Sequence, residues 1–309
     1  MKRRKPIPVI IGPTAVGKTT FCIDFALSVG AEIISCDSKQ VYIGMNVGTA
    51  KPTYSIQEIV PHHLIDIVYP DEEFNAQIWS DLARDSTETI LKQGHVPVIV
   101  CGTGLYLSAY LNGFFSLPNM TLEKRKEIRL QIEELKKRTS PFDFLKKIDF
   151  ESSKQIHPND KYRIERAIEI YFLTGKSRSF HKNQKELSNK QKVFYIGLNM
   201  YRSKLHNRIN TRVDDMFKNG FLEEVEHLIS LGYEEDLNAF RAPGYRELIK
   251  YLKGGISIEE TKCNIKTKTR NYAKRQLTWF KKIDRINWFD ISSGRRNVLR
   301  RVVDLYRNM

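Results

Sequence analysis

The sequence predicts an α/β protein: a P-loop-type doubly wound parallel sheet with a small helical domain inserted into it. Three observations lead there. A complete G-x-x-x-x-G-K-T loop, Gly12-Pro13-Thr14-Ala15-Val16-Gly17-Lys18-Thr19, stands between an apolar strand pattern and a helical one. Apolar strand segments then alternate with helical segments, as in parallel sheets covered on both faces. After Leu117-Pro118 the apolar runs give way to charged helical patterns and resume only at 193.

In chain order, the patterns give strand 7–11, helix 18–28, strand 31–36, a loop through 52, helix 75–93, strand 96–101 and helix 104–112. Charged helices follow at 121–138, 142–155 and 160–174. The last starts after His157-Pro158-Asn159-Asp160 and stops at Gly175, an ordinary pair of helix signals. A polar stretch, 176–192, has no apolar periodicity and leads into a core strand at 193–198. Helices at 202–217, 221–231, 244–253 and 257–283, a strand near 286–290 and a helix at 295–307 complete the chain. Residues 1–118 and 192–309 are thus expected to form a P-loop α/β core with basic C-terminal helices, and 119–191 an inserted helical domain.

A chain of 309 residues can bury a sizeable core and suggests about two domains. No run reaches the roughly 18 uncharged apolar residues of a membrane span. Met1-Lys2-Arg3-Arg4-Lys5-Pro6 reads as a short basic tail, not a signal peptide. Cys22, Cys36, Cys101 and Cys263 form no C-x-x-C pair and three sit in apolar surroundings. Reduced thiols in a cytoplasmic protein are expected, with neither a structural zinc nor a disulfide framework. The net charge of +15 is unevenly spread: residues 1–118 carry nine basic and eleven acidic side chains, whereas the remainder carries 42 and 25. A half-chain at +17 points to a polyanion such as nucleic acid, or to a lysine-rich solvated surface.

The loop's glycines let backbone N–H groups converge on phosphate oxygens, Lys18 adds a point charge, and the Thr19 hydroxyl can ligate Mg²⁺. A diphosphate or triphosphate ligand is therefore expected. Strand 31–36 delivers Asp37-Ser38 at its carboxyl end, on the edge from which the phosphate loop projects. A carboxylate there can reach Mg²⁺ through water, accept a proton, or cap a turn. Strand 96–101 ends in Gly102-Thr103-Gly104, without the aspartate with which nucleoside triphosphatases organise Mg²⁺ and water. Thr103 can bond a phosphate or a base, or cap the next helix. Lys262, Lys266, Arg270 and Lys274 recur every four residues on one helical face, with no acid from 261 to 283, a pattern suited to neutralising phosphates. Tyr272, Trp279 and Phe280 interleave as stacking platforms or as core. Arg202, Arg208 and Arg212 share a helix; a guanidinium fork suits a diphosphate, although spacing alone also fits a solvated face.

Taken together, GPTAVGKT (12–19), DSKQVYIGMNVGTAKP (37–52), PHHLIDI (61–67), GTGLY (102–106), HPND with KYRIERAIEIY (157–171), RAPGYRE (241–247) and KRQLTWFK (274–281) resemble the bacterial tRNA dimethylallyltransferase family, in order and over essentially the whole chain. The resemblance implies transfer of a dimethylallyl group from dimethylallyl diphosphate to N6 of the adenosine 3′ of the anticodon, in tRNAs reading U-starting codons. It implies that residues 12–19 hold the diphosphate, with Mg²⁺ at Thr19. Asp37 would be the general base, Arg212 would neutralise the leaving diphosphate, and Thr103 would position substrate. The tRNA anticodon stem-loop would be contacted by Asp37-Ser38-Lys39-Gln40, Thr103, Arg125, Tyr162-Arg163-Ile164-Glu165-Arg166, Arg241-Ala242-Pro243-Gly244-Tyr245-Arg246 and Lys274-Arg275-Gln276-Leu277-Thr278-Trp279-Phe280-Lys281. The segment 119–191 resembles the family's mobile helical domain, which closes over that stem-loop. Cys101 stands where the family usually has a glycine. A cytoplasmic monomer is expected, with no membrane partner.

Three other functions share parts of this pattern. An isopentenyltransferase acting on free adenine nucleotides would need neither the basic half nor the insertion. A phosphate-loop kinase would use the same loop and Mg²⁺ with ATP. An RNA-binding protein could use the loop only as a nucleotide-dependent switch.

Overall fold

The computed structural model describes residues 5–113, 117–118, 121–183 and 191–309. Residues 1–4 of the basic tail, residue 119 at the expected domain boundary and 184–190 of the polar stretch lie outside the described residues. Six strands form one parallel sheet: β1 (Ile7–Ile11), β2 (Ala31–Cys36), β3 (His62–His63), β4 (Val96–Cys101), β5 (Val193–Asn199) and β6 (Asn287–Asp290). Their order is β3-β2-β4-β1-β5-β6. The connection from β1 leads to β2 on one side, and that from β4 leads to β5 on the other, so the winding reverses at the β1/β4 pair. In open α/β sheets that reversal opens a ligand crevice at the carboxyl ends of the strands.

The helices are α1 (Lys18–Val29), α2 (Tyr54–Ile59), α3 (Ala76–Lys92), α4 (Gly104–Asn112), α5 (Leu122–Arg138), α6 (Pro141–Ile148), α7 (Phe150–Gln155), α8 (Lys161–Thr174), α9 (Arg178–Asn183), α10 (Arg202–Lys218), α11 (Phe221–Ser230), α12 (Tyr245–Leu252), α13 (Ile258–Phe280) and α14 (Arg295–Arg307). The chain divides into two compact units, Met1–Leu111 with Lys190–Met309, and Asn112–Asn189. Among the described residues no helix is long and apolar enough to cross a membrane.

The central strands read as unbroken apolar runs because they are buried on both faces. Along β1, Val9 and Ile11 join one core with Trp79 of α3 and Tyr106 of α4, whereas Ile10 joins another with Phe21 of α1 and Val302 of α14. The same alternation sends Ile34 and Cys36 of β2 one way and Ile33 the other. In the second unit a separate core gathers Ile128, Leu145, Ile164 and Ile168.

Three departures from the sequence reading have local causes. The expected helix 142–155 is two helices, because the Asp149 carboxylate turns back to accept the N–H of Ser152 at 2.9 Å and so caps α7. Its other oxygen accepts the N–H of Ser179 at 2.9 Å, fixing α9 inside the stretch that lacked apolar periodicity. Strand β3 is two half-buried histidines, without any apolar run to announce it.

At the start of β2, the buried Glu32 carboxylate pairs with His63 Nε2 at 2.6 Å and His95 Nδ1 at 2.5 Å. Burial pushes the Glu32 carboxyl up, but the two histidine hydrogen bonds outweigh it and hold the group below its ordinary value. The folded state therefore favours the ionised form, and this stabilisation is present above the unfolded value and lost as pH falls through the folded one. Glu32→Gln should cost about 1–3 kcal/mol at pH 7. In urea melts the gap between variant and parent should narrow below about pH 4; an unchanged gap there would contradict the assignment.

Candidate active site

The phosphate loop leaves β1 through Gly12, where any Cβ would stand 2.5 Å from the Leu198 carbonyl oxygen at the end of β5. Only glycine allows that approach. Ala15 (φ 62°) and Gly17 (φ 104°) take left-handed conformations, the kind of turn from which backbone N–H groups can form an anion-binding concavity. Lys18 Nζ spans the loop, donating to the Gly12 and Pro13 carbonyls at 2.8 and 2.9 Å. Burial, with the neighbouring Arg212 charge second, pulls the Lys18 ammonium down to about 8, against the opposing pull of Asp37. Arg212 on α10 is lowered by its own burial and by Arg208, one turn away, while Asp37 raises it. The Arg208 guanidinium lies 3.4 Å from where a Cβ on Gly17 would stand. Lys18, Arg208 and Arg212 thus crowd together at the loop, which is favourable only once an anion arrives.

These side chains line a cavity of about 650 Å³ that also includes Thr14, Thr19, Asp37 and Tyr272. Asp37 follows β2 directly; its Oδ1 accepts the Lys39 N–H at 2.9 Å. Oδ2 lies against Gly102, where an added Cβ would approach it to 2.9 Å. The turn after β4 is tied to the turn after β2: Thr103 N–H donates to the Cys36 carbonyl at 3.1 Å, and Thr103 Oγ1 accepts the Ser38 N–H at 3.1 Å. Cys101 is fully buried in the same core as Cys36, so its side chain is absorbed by packing and Gly102 is the residue that must stay small. Lys39 donates to the Asn238 carbonyl at 2.5 Å. Burial, with Arg241 and Arg246 nearby, brings it down to about 8, while Asp37 raises it. The sequence-distant segments 37–40 and 241–246 therefore meet.

The segments expected to contact tRNA split by burial. Exposed side chains are Tyr162, Arg163 and Arg166 on α8, Arg241, Arg246, Lys274, Arg275, Thr278 and Lys281, with Trp279 at the edge of exposure. Ile164, Ala242, Tyr245, Gln276 and Phe280 are buried, so their side chains serve packing. Leu277, Glu165 and Pro243 are half-buried, and Gly244 is buried. Gln40 is spent locally, its amide reaching the Thr49 and Ala50 carbonyls at 3.4 and 3.3 Å. Arg125 and 162–166 belong to the second unit.

The basic stripe of α13 does not form a free cationic face. Lys266 pairs with Asp214 of α10 at 2.6 Å, Arg270 donates to Asn210 at 2.9 Å, and Lys262 lies over the Phe217 ring at 5.0 Å. Of the four, Lys274 alone is exposed. Arg208 at the phosphate loop lay in a helical face that spacing could not assign. Its signal was the one-turn offset from Arg212.

The family model IPP transferase matches residues 40–283, and the model Isopentenyl transferase matches 5–63. A tRNA dimethylallyltransferase of Thermoanaerobacter sp. strain X514 is 44% identical over 92% of this chain and 91% of its own. The crystal structure of a tRNA delta(2)-isopentenylpyrophosphate transferase from Staphylococcus epidermidis superposes with a TM-score of 0.72 at 38% identity, covering 99% of both chains. That of a eukaryotic dimethylallyltransferase acting on tRNA reaches 0.82 at 29% identity, over 99% of this chain and 80% of its own. With a family model spanning most of the chain and relatives alike over nearly all of it, the chain belongs to the IPP transferase family, that of the tRNA dimethylallyltransferases.

Proposed function

We propose that this chain transfers the dimethylallyl group of dimethylallyl diphosphate to N6 of the adenosine 3′ of the anticodon, in tRNAs reading U-starting codons, and releases diphosphate. The supporting observation is a single cavity in which a phosphate loop ringed by Lys18, Arg208 and Arg212 faces the carboxylate of Asp37. The target base leaves the anticodon-loop stack to enter it.

In the reaction the C1–O bond to diphosphate breaks, the C1–N6 bond forms, and the proton on N6 passes to Asp37. The bonding electron pair leaves with diphosphate, whose charge is taken up by the three cations and the loop N–H groups. Asp37 Oδ1 is held by the Lys39 N–H, which leaves Oδ2 as the proton acceptor. Thr103 holds Ser38 and hence the turn that aims Asp37. Thr19 borders the same cavity, and its hydroxyl, a hard oxygen donor, would hold Mg²⁺ beside the diphosphate. When bound, the metal would supply further neutralisation of the leaving group.

The direct test incubates the protein with labelled dimethylallyl diphosphate, Mg²⁺ and an anticodon stem-loop whose adenosine follows the anticodon. Label should enter the RNA. Label entering free adenine nucleotides instead, or ATP γ-phosphate moving to an acceptor, would replace the proposal with one of the two other enzymes.

Asp37→Asn should cut turnover by about 10²–10⁴-fold while stem-loop affinity stays within a few-fold; an equal loss of affinity in filter binding would remove the general-base role. Lys18 is charged below about pH 8 and loses its proton above it. Dimethylallyl diphosphate should therefore bind at full strength at pH 7 and weaken by up to about tenfold per unit above pH 8, as read by titration calorimetry. Lys18→Met should bind weakly at both ends of the range. For RNA, Lys274→Ala or Lys281→Ala should lower the salt slope of stem-loop binding by about 0.7–0.9 each. Lys266→Ala, whose ammonium is held by Asp214, should leave that slope unchanged.

A further inference from the structure

We infer that Gln276 is a positioning residue that couples RNA docking on α13 to the phosphate loop. The inference rests on the reading of the exposed α13 residues as an RNA surface. Gln276 is 6% exposed and borders the cavity, with both polar ends of its amide already engaged. Its Oε1 accepts the Thr14 N–H at 2.8 Å, and its Nε2 donates to the Gly102 carbonyl at 2.8 Å. Both ends of one amide are thereby committed to backbone, one on the phosphate loop and one on the turn that lies against Asp37. One turn earlier, the Tyr272 hydroxyl donates to the same Gly102 carbonyl at 3.3 Å.

The opposite side of this stretch of α13 exposes Lys274 and Thr278, with Lys281 exposed just past the helix end. A helix moves its side chains together. Any displacement or stiffening of α13 by a bound polyanion is therefore delivered by Gln276 to Thr14 and Gly102 at once. Leaving the two backbone groups unpaired in the core is costly, which makes the clamp hold through small movements. Coupling of this kind is reciprocal: RNA should tighten the anion at the loop by the factor by which the anion tightens RNA.

The test measures the Kd of inorganic diphosphate with Mg²⁺ for the full chain, with and without saturating anticodon stem-loop. In the parent, RNA should tighten diphosphate by about fivefold or more. In Gln276→Met the ratio should fall to about one, with RNA affinity unchanged. Gln276→Glu keeps an acceptor for Thr14 but loses the donor to Gly102, and should likewise lose the ratio if Gln276→Met does not fold. A parent ratio of one, a variant that keeps the parent ratio, or a variant with weakened RNA binding would each overturn the inference. The docking surface is tested separately: if Lys274→Ala with Lys281→Ala leaves RNA affinity intact, it is that reading which fails.

Discussion

The register of three neighbouring strands is the constraint on which the site depends. Ile11 of β1 lies beside Cys101 of β4, and Cys101 beside Cys36 of β2. Strands in a sheet are about 4.8 Å apart, so the next residues along, Gly12, Gly102 and Asp37, emerge in one row. A phosphate loop, a small turn and a carboxylate are thus brought together by backbone pairing, before any side chain contributes. A slip of one residue in β2 would turn its alternating side chains to the opposite faces and carry Asp37 out of the row.

On that row the charges are arranged at a cost. Lys18 and Arg212 are each drawn down by burial and by a cationic neighbour, and Asp37 offsets only part of this. Groups that destabilise one another in the empty site are stabilised together by a single diphosphate. The interaction strengthens further as charge develops on the departing oxygen, which is the condition for catalysis rather than mere binding. Arg208, more exposed than Arg212, extends the cationic field toward solvent along the same helix face.

Much of this was legible in the sequence, for identifiable reasons. The phosphate loop and strands β1 and β4 announce themselves because two-sided burial demands unbroken apolar runs and the loop demands glycines. Asp37 was legible from its place at a strand end. The α13 stripe was misread because periodicity states which residues share a face, not what that face meets; Asp214 and Asn210 lie 52 and 60 residues upstream of their partners, on another helix. Strand β3 and the break at Asp149 depend on hydrogen bonds that composition does not encode. The Thr14–Gln276 contact joins residues 262 positions apart and leaves no local trace.

Burial also divides the family motifs into two kinds of residue. In the segment 241–247 the arginines are exposed while Tyr245 is fully buried, its hydroxyl donating to Glu224 at 2.7 Å. Glu224 in turn accepts the N–H groups of Asn46, Val47 and Gly48 at 2.7, 2.6 and 3.1 Å. That carboxylate therefore anchors the loop whose following residues, from Gly48 to Thr53, border the cavity. In 274–281 the division repeats, with Gln276 and Phe280 inward and Lys274 and Lys281 outward. Each motif thus joins a residue able to meet a ligand to another that holds the wall behind it. Substituting the inward member should disturb geometry before affinity, and the outward member the reverse, so a motif's length is no measure of its contact area.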